Sequence, residues 1–524
     1  MKKPIPVHPV LFAVLPILFL YSHNIRYLYL AQLAVPALIA ASASVFLWLL
    51  LALLLRDRLR AASVTSLFAL WFLSFGHLYS LAAGSPSANL ASARSTAFVA
   101  VYSTLLLVAA GFLISQRRGV HTLTSMLNVA AVALVGLQVL QVGHYEVRRA
   151  LAYRRVKQAG EISLTPSSRA RLRPNIYHII LDGYARADVL RDIYHYDNSE
   201  FLRYLAVNGF QVASHGKANY IQTALSLASS LNMEYLDELA AQIGPGSNDL
   251  TPAARMIHHN RLFQFLRRRG YRIVAFSAEY DPVDIRSADL YIQGVSGLSE
   301  FDRLIMGTTP IPTILGGANP DLSELPHAQR VLYTLQHLAD TTKLEPPHFV
   351  FAHIMSPHPP FTFDRNGRVV KADLGSRIGN VDAVPWPSGN LDQEYVEQVR
   401  FINRRIEAAL GQIIANARWP TVIVLQSDHG SSSRTDWNSA QRTDIRERFG
   451  ALIACRLPGA DRPPIDDGIS AVNVFRMVLN RYFDAGLPLL PNESYFSRPY
   501  RSPYQFVRVT DRVDLGARKH AARQ

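Results

Sequence analysis

Four short stretches of this sequence place side chains capable of chemistry at the ends of apolar runs. In Asn175-Ile-Tyr-His-Ile-Ile-Leu-Asp182-Gly-Tyr, an apolar segment ends in an aspartate followed by glycine. If the segment is a strand, the carboxylate arrives at the sheet edge, although Asp-Gly there also serves as a plain turn. Gln426-Ser-Asp428-His429-Gly430 follows the apolar run Thr421–Leu425 in the same manner. An adjacent Asp and His can give one divalent cation a hard oxygen and an imidazole nitrogen; the plainer reading is a turn aspartate beside a surface histidine. The third stretch begins Asn219-Tyr-Ile-Gln-Thr223 and continues into small residues, Ala-Leu-Ser-Leu-Ala-Ser-Ser. A threonine that opens a helix is commonly an N-cap. Its hydroxyl also sits where backbone N–H groups favour a phosphate, and metal coordination can make it a nucleophile. The fourth, His348-Phe-Val-Phe-Ala-His353-Ile-Met-Ser-Pro-His358-Pro-Pro-Phe361, carries the chain from a strand to a histidine held by prolines. His358 can donate to a phosphate oxygen or protonate a leaving group. His353, at the strand end, reads as a structural or supporting residue.

Each feature alone has a bland explanation. Jointly they provide two carboxylates, two imidazoles and a hydroxyl at element termini, which is what metal-assisted phosphoryl transfer needs. The elements that must position them are legible as alternating apolar and amphipathic segments. Strands are expected at Ile176–Leu181, Gly209–Ala213, Tyr271–Phe276, Phe349–Ile354, Thr421–Gln426 and Gly450–Ala454. Helices are expected at Ser199–Asn208, Thr223–Leu231, Asn260–Arg269, Asp392–Ala417 and Ala471–Phe483. Continuous apolar strands separated by helices imply a mainly parallel α/β sheet covered by helices on both faces. In such sheets the working residues lie past the carboxyl ends of the strands. Two Pro/Gly-rich stretches, Gly307–Pro320 and Asp382–Asn390, read as long loops near the site.

The N-terminal part is of another kind. Five stretches, Pro4–Ile25, Tyr27–Leu55, Ala61–Ala93, Ser95–Gln116 and Gly119–Tyr145, lack Asp, Glu, Lys and Arg. Each runs for about 20 residues or more, the length that crosses a bilayer core. A signal peptide is disfavoured because no small-residue cleavage site follows in Ser22–Arg26. The expected organisation is a transmembrane anchor at 1–145, a juxtamembrane helix and linker at 146–173, broken at Thr165-Pro, and a catalytic domain at 174–524. Lys2, Lys3, Arg56, Arg58, Arg60, Arg117 and Arg118 fall on one side, against Arg26 and Arg94 on the other. The positive-inside rule then puts the C-terminal domain outside the cytoplasm; Arg148, Arg149, Arg154, Arg155 and Lys157 pull the other way. The spans hold no ionisable Asp, Glu, Lys or Arg, which argues against transport. Their notable polar residues, His77 and Asn128, suit bonding to neighbouring helices. The formal net charge of +14 is not read as nucleic-acid binding, because the arginines are scattered and no recognition motif accompanies them. A basic surface beside an anionic bilayer or facing phosphorylated substrates accounts for it. The single cysteine, Cys455, lies in an apolar run and reads as packing.

On these residues the chain resembles the alkaline phosphatase superfamily in its sulfatase-like branch. The membrane members it is most similar to are the lipoteichoic acid synthases and the lipid A phosphoethanolamine transferases. The resemblance implies a metal bound by Asp182, Asp428 and His429, with Thr223 as both ligand and nucleophile and His358 on the transferred phosphate. Arg186, His353 and Arg448 are weaker substrate-binding candidates, surface ion pairing being the plainer role for the two arginines. The cofactor expected is one divalent metal, zinc or manganese first, with magnesium as the alternative. Asp stands at 182 where the lipid phosphotransferases typically use Glu, and the formylglycine element of hydrolytic sulfatases is missing from Thr223-Ala-Leu-Ser-Leu. The function expected is transfer of a phospholipid headgroup phosphate, of phosphoglycerol or phosphoethanolamine type, through a phosphothreonine to a glycan or glycolipid acceptor. The setting implied is the bacterial inner membrane, with the catalytic domain in the periplasm. The alternatives are a membrane-bound phosphodiesterase, phosphatase or sulfatase-like hydrolase using the same site, and a catalytically silent scaffold of the cell envelope.

Overall fold

The computed structural model describes residues 4–26, 28–84, 92–116, 119–155, 173–278, 280–294, 299–316, 325–370, 391–459 and 464–514. The chain forms two units, one of N-terminal helices and one built on a β-sheet. The expected break at Thr165-Pro and the stretch Asp382–Asn390 lie outside the described residues.

The helical unit contains His8–Asn24, Ala31–Leu55, Arg58–Ala82, Ala93–Ser115 and Val120–Arg155. The last four are long and apolar enough to cross a membrane. The first has 17 residues, about 25 Å of helix at 1.5 Å per residue, and so falls just short of the hydrocarbon thickness. Several polar groups in this unit find partners within it. Asn128 accepts from the Val7 and His8 amides at 3.0 and 3.1 Å and donates to the Ile5 carbonyl at 2.9 Å, closing the start of the first helix. His77 lies edge-on to Phe19 of the first helix. Arg149 donates to the Leu28 carbonyl at 3.1 Å and to that of Ile25, and pairs with Glu146 at 2.8 Å. Glu146 in turn accepts from the Tyr21 hydroxyl at 2.9 Å.

Part of the expected Gly307–Pro320 loop is instead helical and belongs to this unit. Helices Glu300–Thr308 and Ile311–Gly316 pack on the membrane helices. Ser299 and Asp302 form a reciprocal capping box at the start of the first of them, which is why the chain turns helical there despite its glycine and prolines.

Among the described residues the other unit has nine strands: β1 (Asn175–Leu181), β2 (Phe210–Val212), β3 (Arg272–Phe276), β4 (Leu290–Ile292), β5 (His348–Ile354), β6 (Thr421–Gln426), β7 (Ile453–Arg456), β8 (Tyr495–Arg498) and β9 (Ser502–Arg508). Seven form one sheet in the order β2-β7-β6-β1-β5-β3-β4, and β8 pairs with β9. The β6-β1-β5-β3-β4 ladder is parallel throughout, and β7 runs antiparallel to both its neighbours. Every residue of β1, β5 and β6 is buried, as expected of central strands covered on both faces. The expected strand Gly450–Ala454 is displaced, because Gly450 and Ala451 make isolated bridges to Lys217 and Ala185 before β7 begins. β4, β8 and β9 were not anticipated; they are short or half-exposed and carry little apolar signal. The helices Ser199–Val207, Thr223–Asn232, Arg261–Arg268, Leu391–Asn416 and Ala471–Phe483 fall where the pattern places them, within one or two residues at their ends.

Candidate active site

The parallel register decides which residues meet. Ile180 of β1 lies level with His353 of β5 and with Gln426 of β6. Two residues further on, Asp182 and Asp428 therefore leave the sheet side by side. One donor atom each from Asp182, His353 and Asp428 lie within 4.8 Å of one another. His429 joins them: its Nε2 is 3.2 Å from Asp428 Oδ2 and 3.6 Å from Asp182 Oδ1. His353 Nε2 stands 3.4 Å from Asp182 Oδ2. All four side chains are buried.

Thr223 is the first residue of the helix Thr223–Asn232. Its hydroxyl is 3.2 Å from His429 Nε2. His429 Nδ1 lies 3.0 Å from the Gly430 carbonyl. A carbonyl only accepts, so Nδ1 carries the proton and the Nε2 lone pair faces Thr223 and the carboxylates. The same reasoning applies to His358, whose Nδ1–H donates to the Pro359 carbonyl at 2.6 Å and leaves Nε2 for chemistry. The His358 ring is 6.3 Å from that of His429. Its backbone N–H donates to the Asp182 carbonyl at 2.9 Å, so the proline-held loop is tied to the end of β1. Gly183 has φ 71°, in the left-handed region that side chains rarely adopt, and a Cβ there would lie in ordinary van der Waals contact with His358. Glycine is the residue that permits this turn.

The electrostatics suit a cation. Burial lowers the His353 pKa to about 4, against an opposing pull from Asp428, so the ring is neutral and free to ligate. Burial alone would raise the Asp428 pKa. The neighbouring His429 foremost, then His353, the Thr223 hydroxyl and Arg448, hold it below the usual carboxylate value. Two carboxylates with imidazole nitrogens in a buried cluster form a donor set that fits a divalent metal of borderline softness.

Of the weaker candidates, Arg186 is committed elsewhere. It donates twice to Asp188, at 2.6 and 2.9 Å, and once to the Gly216 carbonyl at 3.0 Å. Arg448 is buried, so it is not in a surface ion pair. It is 1 % exposed, stacks over Trp437 at 4.7 Å, and donates to the Ile221 carbonyl at 2.8 Å and that of Gly430 at 3.2 Å. It thus joins the chain entering Thr223 to the chain leaving His429.

Several supporting residues escaped the sequence reading. Glu447 accepts from Tyr194, Ser431, Ser433 and the Arg434 amide at 2.5 to 3.2 Å, anchoring the loop after Gly430. A Cβ on Gly430 would sit 2.0 Å from the Glu447 carbonyl. Ser226 donates to the Asp428 carbonyl at 2.6 Å. Gln398 donates to the His358 carbonyl at 3.3 Å, and Tyr395 donates to that of Gly183 at 2.9 Å. The one available signal was Gln398, a polar residue on the apolar face of Leu391–Asn416. The others look like ordinary surface residues in the sequence.

Fold and cluster together define an α/β protein with a buried polar centre past the carboxyl ends of three central parallel strands. The sequence model of the sulfatase family matches residues 174–454, which spans β1 to β7 and every residue of the cluster. The chain belongs to the sulfatase family, a family of enzymes, as its motifs implied. No curated protein sequence matches it significantly. Among solved structures it is similar to the zinc complex of the C-terminal periplasmic domain of EptC from Escherichia coli, at 12 % identity, covering 66 % of this chain and 96 % of that one with a TM-score of 0.42. The integral membrane lipooligosaccharide phosphoethanolamine transferase A of Neisseria meningitidis is 12 % identical, with 95 % and 96 % covered and a TM-score of 0.40. The lipoteichoic acid synthase LtaP of Listeria monocytogenes is 13 % identical, with 65 % and 82 % covered and a TM-score of 0.37. Likenesses at this level do not define what this chain acts on.

Proposed function

We propose that this protein is a metal-dependent phosphotransferase of the bacterial inner membrane, which moves a phospholipid headgroup phosphate through a phosphothreonine to a glycan or glycolipid acceptor on the periplasmic side. The observation that carries this reading is the Thr223 hydroxyl at the start of a buried helix, 3.2 Å from His429 Nε2 and beside two carboxylates. Asp182, Asp428 and His429 would hold the metal, with His353 and Thr223 completing the donor set. A divalent cation bound there would lower the pKa of an adjacent hydroxyl and offset charge on phosphoryl oxygens.

The side chains supply the remaining roles. Thr223 gives its proton to a neighbouring acceptor and its oxygen bonds to phosphorus, while the bond from phosphorus to the diacylglycerol oxygen breaks. The leaving oxygen takes a proton from His358 in its imidazolium form. The acceptor hydroxyl then loses its proton to His358 and attacks the same phosphorus, the bond from phosphorus to Thr223 Oγ1 breaks, and that oxygen takes back the proton it gave to the neighbouring acceptor. The amides at the start of the Thr223 helix favour the anionic phosphoryl group. Arg448 acts by fixing the approach of Thr223 to His429.

Membranes given a phospholipid labelled in its headgroup phosphate test the reading. Label on a macromolecule or glycolipid is expected, and label released as a free small molecule would mean hydrolysis. Thr223→Ala should reduce transfer by at least about 10³-fold, as loss of a nucleophile does, while metal content by elemental analysis stays unchanged. Normal transfer in that variant rules out the nucleophile assignment, and a native protein without divalent metal would revive a silent scaffold.

A further inference from the structure

Between β4 and β5 the chain runs through Ser299–Gly316, and this segment clusters with the N-terminal helices. Phe301 is fully buried among Ile17, Leu20, Tyr21, Ile25, Leu28 and Val142, edge-on to Tyr21 at 6.0 Å. Gly307 meets Gly76 of the third membrane helix so closely that a Cβ on Gly76 would lie 2.0 Å from the Gly307 carbonyl oxygen. The second short helix, Ile311–Gly316, packs on the fourth membrane helix.

The composition of the segment is that of a non-aqueous setting. Leu304–Gly316 contains no charged residue, and a run of about 10–14 apolar residues is too short to span but suits a re-entrant or interfacial element. Two of its three threonine hydroxyls bond within it: Thr308 donates to the Ile305 carbonyl and Thr309 to that of Met306, both at 2.7 Å, whereas that of Thr313 is buried without a hydrogen-bond partner among the described residues. Pro310 and Pro312 have no N–H to satisfy, and the Ile311 and Ile314 amides bond to Thr309 Oγ1 and the Pro310 carbonyl at 3.3 and 3.0 Å. Hydrocarbon favours such local bonding of backbone and hydroxyl groups more strongly than water does. Yet Ile314 and Leu315 are 57 % and 54 % exposed, next to a helix whose own exposed face presents Val101 and Leu105.

We infer that Ser299–Gly316 is a membrane-docked pair of short helices, and that the tip of the second, Ile314–Leu315, inserts into the acyl region of the bilayer. Its ligand is therefore a lipid surface. The inference goes beyond the proposed chemistry and does not depend on it.

Spin labels on the full-length protein in phosphatidylcholine–phosphatidylglycerol vesicles provide the test. The native Cys455 is fully buried and burial pushes its thiol up to about 12, so it stays unlabelled. Labels at Leu315→Cys and, independently, Ile314→Cys should collide with oxygen several-fold more often than with a water-soluble nickel chelate. Leu105→Cys should behave alike, and Val207→Cys, at an 82 % exposed position of the sheet unit, should show the reverse. Nickel accessibility at 314 and 315 equal to that at 207 overturns the inference. Protection from both reagents also overturns it, since the tip would then be covered by protein.

Discussion

His429 illustrates how a backbone carbonyl sets a side chain's chemistry. The Gly430 carbonyl holds Nδ1–H, and the opposite nitrogen is thereby left to face Thr223 and the carboxylates. His178 is the contrasting case. It is fully buried on β1, edge-on to Phe475 at 4.8 Å and Phe351 at 5.7 Å, and neither ring nitrogen has a hydrogen-bond partner among the described residues. Burial foremost, with His353 nearby, lowers its pKa from 6.5 to about 3. Between those values the unfolded chain binds a proton that the native state refuses. The stability contribution is therefore intact above pH 6.5 and is lost as the pH falls toward 3. His178→Leu should stabilise the protein by about 1 kcal/mol at neutral pH by removing unsatisfied polar atoms. At pH 5 the gain should rise by roughly 2 kcal/mol, 1.36 for each pH unit below 6.5. Thermal melts at the two pH values check this; an equal gain at both would place the acid sensitivity elsewhere.

At the scale of elements, the site is an outcome of register. β1 and β6 end level, and their parallel pairing brings Asp182 beside Asp428 although 245 residues separate their loops. Arg448 adds a second constraint by joining the Ile221 and Gly430 carbonyls. Arg448→Met keeps most of the stacking volume over Trp437 but removes both donors. We expect kcat to fall about 10²-fold, the size of effect that a displacement near 1 Å produces, with KM and metal content little changed. Steady-state kinetics with metal analysis decide it. A large rise in KM at constant kcat would instead make Arg448 a substrate contact. Arg448→Lys should recover part of the loss, because one donor survives.

At the scale of the whole molecule, the apolar helices make this a membrane protein. The sidedness of its sheet domain is proposed from the loop charges. Arg149, counted in the sequence among residues opposing that assignment, is paired with Glu146 and bound to two carbonyls. Long translocated domains largely escape the charge rule, so Arg149 and its neighbours do not overturn that assignment. A membrane-impermeant maleimide should label Val207→Cys in intact spheroplasts. Labelling only after lysis would put the domain in the cytoplasm.

The sequence by itself determined the division into apolar helices and an α/β domain, because hydrophobic period and run length are local properties. It also determined Asp182, Thr223, His358, Asp428 and His429 as candidates, since each sits at the end of a strongly patterned element. The tertiary structure alone decided that His353 belongs with the carboxylates, because that depends on the β1–β5 register. It likewise decided that Arg448 and Glu447 brace the site, and that Ser299–Gly316 packs with the membrane helices. Those roles rest on partners far away in the chain, and no local pattern records a distant partner.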